Sequence, residues 1–382
     1  MYDIFRYGHL LVFAGLQTAL MLGIFLEWLK DRLAARLPCP ADAKVSVIIP
    51  IHNESGRMAG LLRSLLVQDY PAEFIFVDDR SDDESPAMLA EFARNVRNRG
   101  MGNCRVITLR ENPGPNCKQY ALGRGIAESA GDFLLFTDGD CVVATGWIRA
   151  MVRRMADERT GVLIGPVFKK LGGTGFFFLY QCFDHIVRYN YLTAASGLGA
   201  AGGGFGNNII INKKALDELG GYGEVPPSPT EDAALVSLIR GHGKYKVRAA
   251  TLPDTAVETG AENSWKALFS QTLRWNNGGL FSPDPVTRIN YNFLMLLIST
   301  GIIAIPLLPV FPGLWPLPLA TCIGMLENTA AAFILFRSKL PTGGILSALR
   351  YFLCALFMPL YLTLMTLMGY FRIRVKWKEK PI

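Results

Sequence analysis

VSVIIPIHNE, residues 45–54, opens a repeating pattern of strand, turn and helix in the middle of the chain. Residues 45–49 form a short buried strand, and we expect Pro50 to end it because proline cannot donate to the ladder of a sheet. A helix is predicted at 61–67 and the next strand at 74–77. The repetition is typical of an α/β domain with a mostly parallel, Rossmann-like sheet and helices on its faces.

Acidic residues follow two of the predicted strands, at the point where each strand ends. DDRSDD, residues 78–83, comes directly after the strand at 74–77, and DGD, residues 138–140, comes after a predicted strand at 133–136. Ligands of open α/β sheets bind beyond the carboxyl ends of the strands. The position of both clusters therefore indicates a binding site more strongly than their acidity does.

The DGD motif suits a divalent metal. Asp138 and Asp140 are separated by one glycine, so both carboxylates can face one point while the backbone passes close to a ligand. Hard oxygen ligands suit Mg²⁺ or Mn²⁺, which bridge a few carboxylates to substrate phosphates, and such a metal neutralises a leaving diphosphate. Asp-Gly is equally typical of a plain turn, so the motif alone leaves both interpretations open.

Two more acidic motifs allow a structural and a functional interpretation. The acids at 78–83 suit the N-terminus of a helix, and equally suit hydrogen bonds from a base or a ribose. Thr230 fits an N-cap of the apolar-periodic helix at 233–239. Asp232, in the same segment, is alternatively a general base that deprotonates an acceptor hydroxyl.

Two motifs further along the chain also allow more than one interpretation. QTLRW, residues 271–275, lies at the end of a predicted amphipathic helix, where Trp beside Arg is typical of a membrane interface. Alternatively, Arg274 contacts a diphosphate and Trp275 forms a wall of an acceptor site. GLGAAG, residues 197–202, matches the G-x-G-x-x-G dinucleotide pattern but follows an aromatic stretch, so the required strand context is absent.

Half of the 382 residues are apolar, and they collect at the two ends of the chain. Four stretches are close to the ~20 residues that a helix needs to cross a membrane: 10–29, 293–311, 314–336 and 345–370. The sequence therefore predicts an N-terminal anchor over 1–38, an α/β domain over 40–285, and about three transmembrane helices with a basic tail over 286–382.

Basic residues follow the first apolar stretch at Lys30, Arg32 and Arg36, which places the middle domain in the cytosol by the positive-inside rule. Four crossings would put the basic tail from Arg372 onward on the opposite side, so we expect one stretch to be re-entrant or interfacial. The net charge of +7 lies largely in this tail, which suits anionic lipid headgroups and equally suits a plain topology signal. Because the middle domain has no basic run interleaved with aromatics, nucleic acid is not an expected partner.

The seven cysteines and four histidines show no metal-ligand spacing. A zinc site is therefore not expected. An odd number of cysteines dispersed among apolar neighbours fits a reduced, cytosolic compartment.

The motifs occur in one order: VSVIIPIHNE, FIFVDDRSDD, a helix bearing Lys118, FTDGD, SPTED and QTLRW. That order resembles the inverting glycosyltransferases of family 2, the group that includes cellulose, chitin and hyaluronan synthases and ceramide glucosyltransferases. The resemblance covers about residues 44–283. It implies a GT-A fold, a nucleotide-sugar donor that we expect to be a UDP-sugar, and Mg²⁺ or Mn²⁺ as cofactor.

The resemblance also implies roles for individual residues. Asp232 is the catalytic base in this assignment. The donor-binding residues are Pro50, Asn53, Glu54, Asp79, Lys118, Asp138 and Asp140, of which the last two also bind the metal. The residues at the acceptor or diphosphate are Glu231, Gln271, Arg274 and Trp275. Thr272 and Arg124 depart from the family pattern, so the acceptor type and processivity stay open.

We consider three functions for the chain. The first is transfer of one sugar to a lipid-like acceptor at the cytosolic face of a bacterial inner membrane. The few spans favour it, as does the aromatic run at 176–178, which can enter a membrane interface. The second is a processive polysaccharide synthase, for which Glu327 is the single acid in the C-terminal apolar stretches. The third, a non-catalytic receptor or scaffold, conflicts with intact Asp138, Asp140 and Asp232.

Overall fold

The computed structural model of the protein describes residues 2–40, 42–111, 116–170, 172–173, 175–336, 344–372, 376–377 and 380–381. The chain folds as two compact units. We call Glu27–Phe168 with Ala201–Gly260 the sheet unit. The helical unit consists of Met1–Leu26, Lys169–Ala200 and Ala261–Ile382.

Strands and helices alternate through the sheet unit, and helices dominate the helical unit. The strands are β1 (Val45–Ile51), β2 (Glu73–Asp78), β3 (Cys104–Thr108), β4 (Phe133–Phe136), β5 (Val142–Val143), β6 (Thr160–Ile164), β7 (Val167–Lys170), β8 (Ile209–Asn212), β9 (Lys246–Ala249), β10 (Val257–Gly260), β11 (Lys376–Trp377) and β12 (Lys380–Pro381). The α-helices are α1 (Tyr2–Ala34), α2 (Ala59–Leu65), α3 (Ser85–Arg99), α4 (Cys117–Ala127), α5 (Trp147–Arg153), α6 (Phe176–Gly197), α7 (Lys213–Asp217), α8 (Glu231–Gly241), α9 (Trp265–Leu280), α10 (Pro285–Ala304), α11 (Pro316–Phe336) and α12 (Gly344–Tyr370).

Seven strands of the sheet unit form one sheet in the order β3-β2-β1-β4-β8-β6-β9. β1 pairs in parallel with β2 and β4, β2 with β3, and β6 with β9. β8 runs antiparallel to both of its neighbours. Val47, Ile48 and Ile49 in β1 are fully buried, as expected of a strand covered on both faces. The predicted mostly parallel α/β sheet is confirmed.

The prediction that Pro50 ends β1 is wrong. The strand continues to Ile51, and Pro50 lies opposite Val77 of β2. The carbonyl of Ile48 accepts a hydrogen bond from the backbone N–H of Thr137 on the side of β4, where pairing with β4 ends at Ile48. Pro50, two residues later, faces the same side, so its missing N–H interrupts no ladder.

The last turns of α1 belong to the sheet unit and carry two buried carboxylates. Glu27 Oε1 accepts hydrogen bonds from Arg248 Nε at 2.6 Å and from a backbone N–H of β9 at 2.8 Å. Asp31 Oδ2 accepts from the backbone N–H of Thr251 at 2.8 Å, and its other oxygen pairs with Arg154. Both buried charges are thus compensated, and they fix this end of α1 beside β9.

Four helices within the described part of the chain are long and apolar enough to cross a membrane, judged by length and composition. They are Tyr7–Ala34, Pro285–Leu307, Pro312–Phe336 and Leu349–Tyr370. The predicted N-terminal and C-terminal membrane helices are confirmed to that extent, while the re-entrant or interfacial segment stays a prediction. Leu11 and Ile334 are 72% and 80% exposed, which suits contact with lipid tails.

Candidate active site

The acidic motif Asp138-Gly139-Asp140 forms the turn directly after β4. A Cβ on Gly139 would lie 2.8 Å from Ile51 Cδ1 and 3.1 Å from Glu54 Cγ. Because the first distance is shorter than side chains tolerate, glycine lets this turn pack against the loop after β1. The ends of two neighbouring parallel strands therefore present their polar side chains at one edge of the sheet.

Lys118 joins two of the acidic motifs. It lies in the first turn of α4, which Asn116 caps by accepting a hydrogen bond from a backbone N–H at 3.1 Å. Lys118 Nζ is 2.8 Å from Asp138 Oδ1 and 3.4 Å from Glu231 Oε1. Burial alone would lower the pKa of Lys118, but the charges of Asp138 and Glu231 outweigh it and raise that pKa well above its usual value. The lysine therefore stays protonated between the two carboxylates.

Asp232 is a partly buried carboxylate in the first turn of α8. Its Oδ2 accepts a hydrogen bond from the backbone N–H of Gly206 at 2.7 Å, and its Oδ1 accepts from that of Ala233 at 2.8 Å. Burial and the nearby charge of Glu231 raise the pKa of Asp232 to about 6, although Lys118 and the two hydrogen bonds oppose this shift. A carboxylate with a pKa near neutrality suits general base catalysis.

Thr230 occupies the predicted N-cap position of α8, but its side chain makes no capping hydrogen bond. Its backbone N–H donates instead to Ser228 Oγ at 3.2 Å. The Asp232 carboxylate accepts the hydrogen bond from Ala233. The acidic residues at the start of α8 therefore stabilise its N-terminus and also contribute side chains to the candidate active site.

Two loops at the carboxyl ends of β1 and β2, residues 52–58 and 79–84, bind each other through side chains; we call them the rim loops. The backbone N–H of Asn53 donates to Ser81 Oγ at 3.0 Å, and Asn53 Oδ1 accepts from the backbone N–H of Asp82 at 3.0 Å. The backbone N–H of Ser55 donates to Asp83 Oδ2 at 2.9 Å. The predicted donor residues Pro50, Asn53, Glu54 and Asp79 all lie on or beside these two loops.

Asp79 does not present a free carboxylate. Its Oδ1 pairs with Arg80 at 2.7 Å, and the backbone of Arg80 is left-handed, with φ of 58°. Such a conformation is uncommon for a residue with a side chain and is frequent at functional loops. A nucleotide base that forms a hydrogen bond with Asp79 would therefore meet a carboxylate already oriented by the adjacent Arg80 guanidinium.

Sequence reasoning missed Arg57. This arginine is 2.7 Å from Glu54 Oε2 and 3.8 Å from Asp140 Oδ2, so it links the loop after β1 to the acidic turn. Its position three residues after Glu54 was a usable signal, because residues three apart become neighbours once the chain turns helical. Arg57 adds a second positive charge at the predicted diphosphate site.

Asp138 and Asp140 provide the only predicted metal ligands, and the structure groups no three His, Cys, Asp or Glu side chains into a metal site among the residues described. Asp138 pairs with Lys118 at 2.8 Å, whereas Asp140 pairs with the more distant Arg57 at 3.8 Å. Two carboxylates fit Mg²⁺ or Mn²⁺, since these ions take one or two protein carboxylates and complete their shell with water and substrate phosphates.

The remaining predicted residues lie on α9, in the helical unit. Gln271 Nε2 donates to Glu262 Oε1 at 2.8 Å. The Trp275 ring lies 5.3 Å from the His185 ring and 5.7 Å from the Arg188 guanidinium. The motif with Arg274 occupies the middle of α9, not its end as predicted. The structure thus brings together Lys118, Asp138 and Glu231 in one unit and the QTLRW residues in the other.

Residues 46–220 match the family model described as glycosyl transferase family 2. A beta-monoglucosyldiacylglycerol synthase of Trichormus variabilis is 25% identical over 281 residues, which cover 69% of this chain and 57% of that protein. The probable glycosyltransferase YdaM of Bacillus subtilis is 28% identical over 251 residues, covering 62% of this chain and 56% of that protein. The chain therefore spans little more than half the length of these relatives.

Among solved structures, the mannosyltransferase PcManGT of Pyrobaculum calidifontis, in complex with GDP-Man and Mn²⁺, is similar with a TM-score of 0.53 at 17% identity. The similarity covers 96% of this chain and 99% of that one. At such low identity it shows a shared fold. Together with the sheet order, it confirms the expected GT-A fold.

Proposed function

Residues 46–220 match the model of glycosyl transferase family 2, and from this premise we propose that the chain is such an enzyme and transfers one sugar from a UDP-sugar to a lipid acceptor. The observation that carries the proposal is the Asp232 carboxylate, held by two backbone N–H groups beside Glu231 and Lys118. This group has the pKa and the orientation of a general base.

The reaction is one displacement. Asp232 takes the proton of an acceptor hydroxyl, and that oxygen forms a bond to the anomeric carbon of the sugar. The bond from this carbon to the diphosphate breaks, and its electron pair leaves with the diphosphate. Attack from the opposite side inverts the anomeric centre, so an α-linked donor gives a β-glycoside.

We assign binding of the nucleotide-sugar donor to the edge of the sheet formed by the carboxyl ends of its parallel strands. Asp138 and Asp140 would hold Mg²⁺ or Mn²⁺, which neutralises charge on a diphosphate when bound. Lys118 and Arg57 provide positive charge to the same group. The rim loops and Asp79 would hold the base and ribose. Gln271, Arg274 and Trp275 are assigned to the acceptor and the diphosphate.

The acceptor is proposed to be a lipid at the cytosolic membrane face. Four apolar helices support membrane residence, and a relative named for diacylglycerol glucosylation supports the lipid. Lys30, Arg32 and Arg36 after the first span support the cytosolic side. We assign the protein to a bacterial inner membrane on the same grounds.

A direct test uses the full chain in detergent with diacylglycerol and a divalent metal. UDP-glucose, UDP-galactose, UDP-N-acetylglucosamine and GDP-mannose are supplied in turn, and both nucleotide release and lipid mass are measured. We expect release together with a lipid that gains one sugar. Asp232→Asn should abolish it, while Asp217→Asn, the same change at an exposed position, should not. A polymeric product would favour a processive synthase, and no release with any donor would favour a scaffold.

A further inference from the structure

Polar side chains of three helices meet in the interior of the helical unit, and we call them the polar cluster: Tyr180, Asp184 and Arg188 of α6, Asn276 of α9 and Tyr291 of α10. The α6 residues recur every four positions, so they share one face of the helix. Asp184 Oδ2 is 2.8 Å from Arg188 Nε. The Tyr291 hydroxyl donates to Asn276 Oδ1 at 2.9 Å and also contacts Arg188.

Four atoms of the polar cluster are buried and have no hydrogen-bond partner among the described residues: Tyr180 Oη, Asp184 Oδ1, Arg188 Nη2 and Asn276 Nδ2. Tyr180, Asp184 and Asn276 are at most 2% exposed. Buried polar atoms in folded proteins are nearly always paired. Four unpaired atoms in one place therefore indicate a group that completes them.

The walls of the polar cluster are aromatic. The Tyr180 ring lies 4.9 Å from Phe357, 5.6 Å from Tyr361 and 6.2 Å from Trp265. Trp265 is 44% exposed, so this wall extends to the surface of the unit. A polar floor with an apolar wall fits a molecule that has a polar head and an apolar body.

The charges of Asp184 and Arg188 cancel. Burial alone would lower the pKa of Arg188, but the Asp184 carboxylate outweighs it and raises that pKa, so the pair is ionised and neutral in sum. A phosphate placed here would meet the unpaired Asp184 Oδ1 and be repelled. An uncharged head with ester carbonyls meets hydrogen-bond donors without a net charge to offset.

We propose that the polar cluster binds the uncharged head of a glycerolipid, a diacylglycerol, and discriminates against its phosphorylated counterpart, phosphatidate. Tyr180, Arg188 and Asn276 donate hydrogen bonds to the ester carbonyls, Asp184 Oδ1 repels a phosphate, and the single hydroxyl stays available for transfer. The inference rests on the proposed transfer to lipid. It adds a recognition site for the acceptor head within the helical unit alone.

The test measures lipid binding without any sugar donor. The full chain in nanodiscs is labelled with a photoactivatable diacylglycerol, and labelled peptides are located by mass spectrometry. Unlabelled diacylglycerol and phosphatidate then compete. We expect labelling on α6 or α9, with diacylglycerol competing about tenfold better than phosphatidate. Label elsewhere, or none, would mean that water alone fills the cluster and would overturn the proposal.

Charge variants sharpen the test. Asp184→Asn leaves Arg188 uncompensated, so phosphatidate should then compete as well as diacylglycerol or better. The double variant Asp184→Asn/Arg188→Gln restores neutrality and should restore the preference, while the exposed Asp217→Asn should behave as wild type. Tyr180→Phe removes one donor at little risk to folding and should weaken labelling severalfold. An unchanged lipid preference in Asp184→Asn would contradict the assignment.

Because labelling needs no donor, its outcome is independent of nucleotide release. Specific labelling without any transfer would refute the proposed reaction and leave the lipid site standing. If the chain transfers sugar to diacylglycerol but neither Tyr180→Phe nor Asp184→Asn affects labelling, the lipid site is refuted and the proposed reaction stands. Thermal unfolding of each variant, followed by tryptophan fluorescence, separates lost binding from lost folding.

Discussion

The backbone N–H of Gly206 donates a hydrogen bond to Asp232 Oδ2 at 2.7 Å. Gly206 follows the glycine-rich segment 197–204, which lies after helix α6 and not after a strand. The segment therefore lacks the preceding strand that a dinucleotide motif requires, and Gly206, just beyond it, positions the candidate base. A Cβ on Gly206 would lie 3.2 Å from Asp232 Oδ2.

Gly206→Ala should lower turnover while leaving donor affinity near wild type. The added methyl crowds the Asp232 carboxylate and turns it away from an acceptor hydroxyl, and such displacement commonly costs about 10- to 100-fold in rate. Steady-state kinetics with the donor in excess measures the effect. Gly223→Ala is the matched control, since a Cβ there meets nothing within 4 Å. Equal rates for both variants would contradict the positioning role.

The pH dependence follows from the pKa of Asp232, which is raised to about 6. A general base must be deprotonated, so kcat/KM should fall about tenfold per pH unit below pH 6 and be level above it. Glu231→Gln removes a negative neighbour and should lower that pKa, which moves the acidic limb to lower pH. If the acidic limb of the pH profile keeps its position in Glu231→Gln, a group other than Asp232 controls it.

Lys118→Met should weaken donor binding. Asp138 and Glu231 lose the cation between them, and the site becomes more negative toward a diphosphate, so the donor KM should rise about tenfold or more. Lys118 also lowers the pKa of Asp232, so the acidic limb should move to higher pH. The control is Lys214→Met, an exposed lysine. If the donor KM and the acidic limb of the pH profile of Lys118→Met both equal those of the wild type, Lys118 does not belong to the donor site.

Asp140→Asn should weaken binding of Mn²⁺ to the protein in the presence of UDP. The side chain is 23% exposed and accessible to a metal, and a neutral amide is a poorer ligand than a carboxylate for a hard cation. Electron paramagnetic resonance of free Mn²⁺ measures the affinity without turnover. EDTA should abolish transfer by the wild type, and excess Mg²⁺ or Mn²⁺ should restore it. Asp132→Asn, in the loop before β4, is the control.

Asp31→Asn should destabilise the sheet unit far more than Asp254→Asn. Asp31 is buried and pairs with Arg154, so its neutralisation leaves a buried charge undercompensated, at about 3 kcal/mol. Asp254 pairs with the same arginine but is 46% exposed, which limits the loss to about 1 kcal/mol or less. Thermal unfolding in detergent compares the two. Similar midpoints would argue against the buried pair.

The sequence predicted the sheet well where local pattern decides structure. The strand at 133–136 has its predicted bounds, and the predicted helix bearing Lys118 is α4, from Cys117 to Ala127. The antiparallel insertion of β8 was not predictable, because IIIN carries no sign of strand direction. The end of β1 was predicted too early at Pro50, because the proline is tolerated there only since pairing with β4 stops at Ile48.

Site residues that follow strands directly were accessible to reasoning from sequence, because strand ends in a parallel sheet converge. Contacts that depend on long-range packing were not. Arg57 beside Asp140 and Gly206 beside Asp232 required the fold. The polar cluster was hidden for the same reason, since Asp184 and Arg188 look like an ordinary i, i+4 ion pair until their burial is known.

The rim loops hold each other through hydrogen bonds among Asn53, Ser81, Asp82, Ser55 and Asp83. A ligand that binds between them therefore loses its own freedom but does not have to order the walls. Association should then show little change in heat capacity beyond that of the ligand's own burial, since no segment folds on binding. The carboxyl edge of the sheet is therefore a preorganised binding surface.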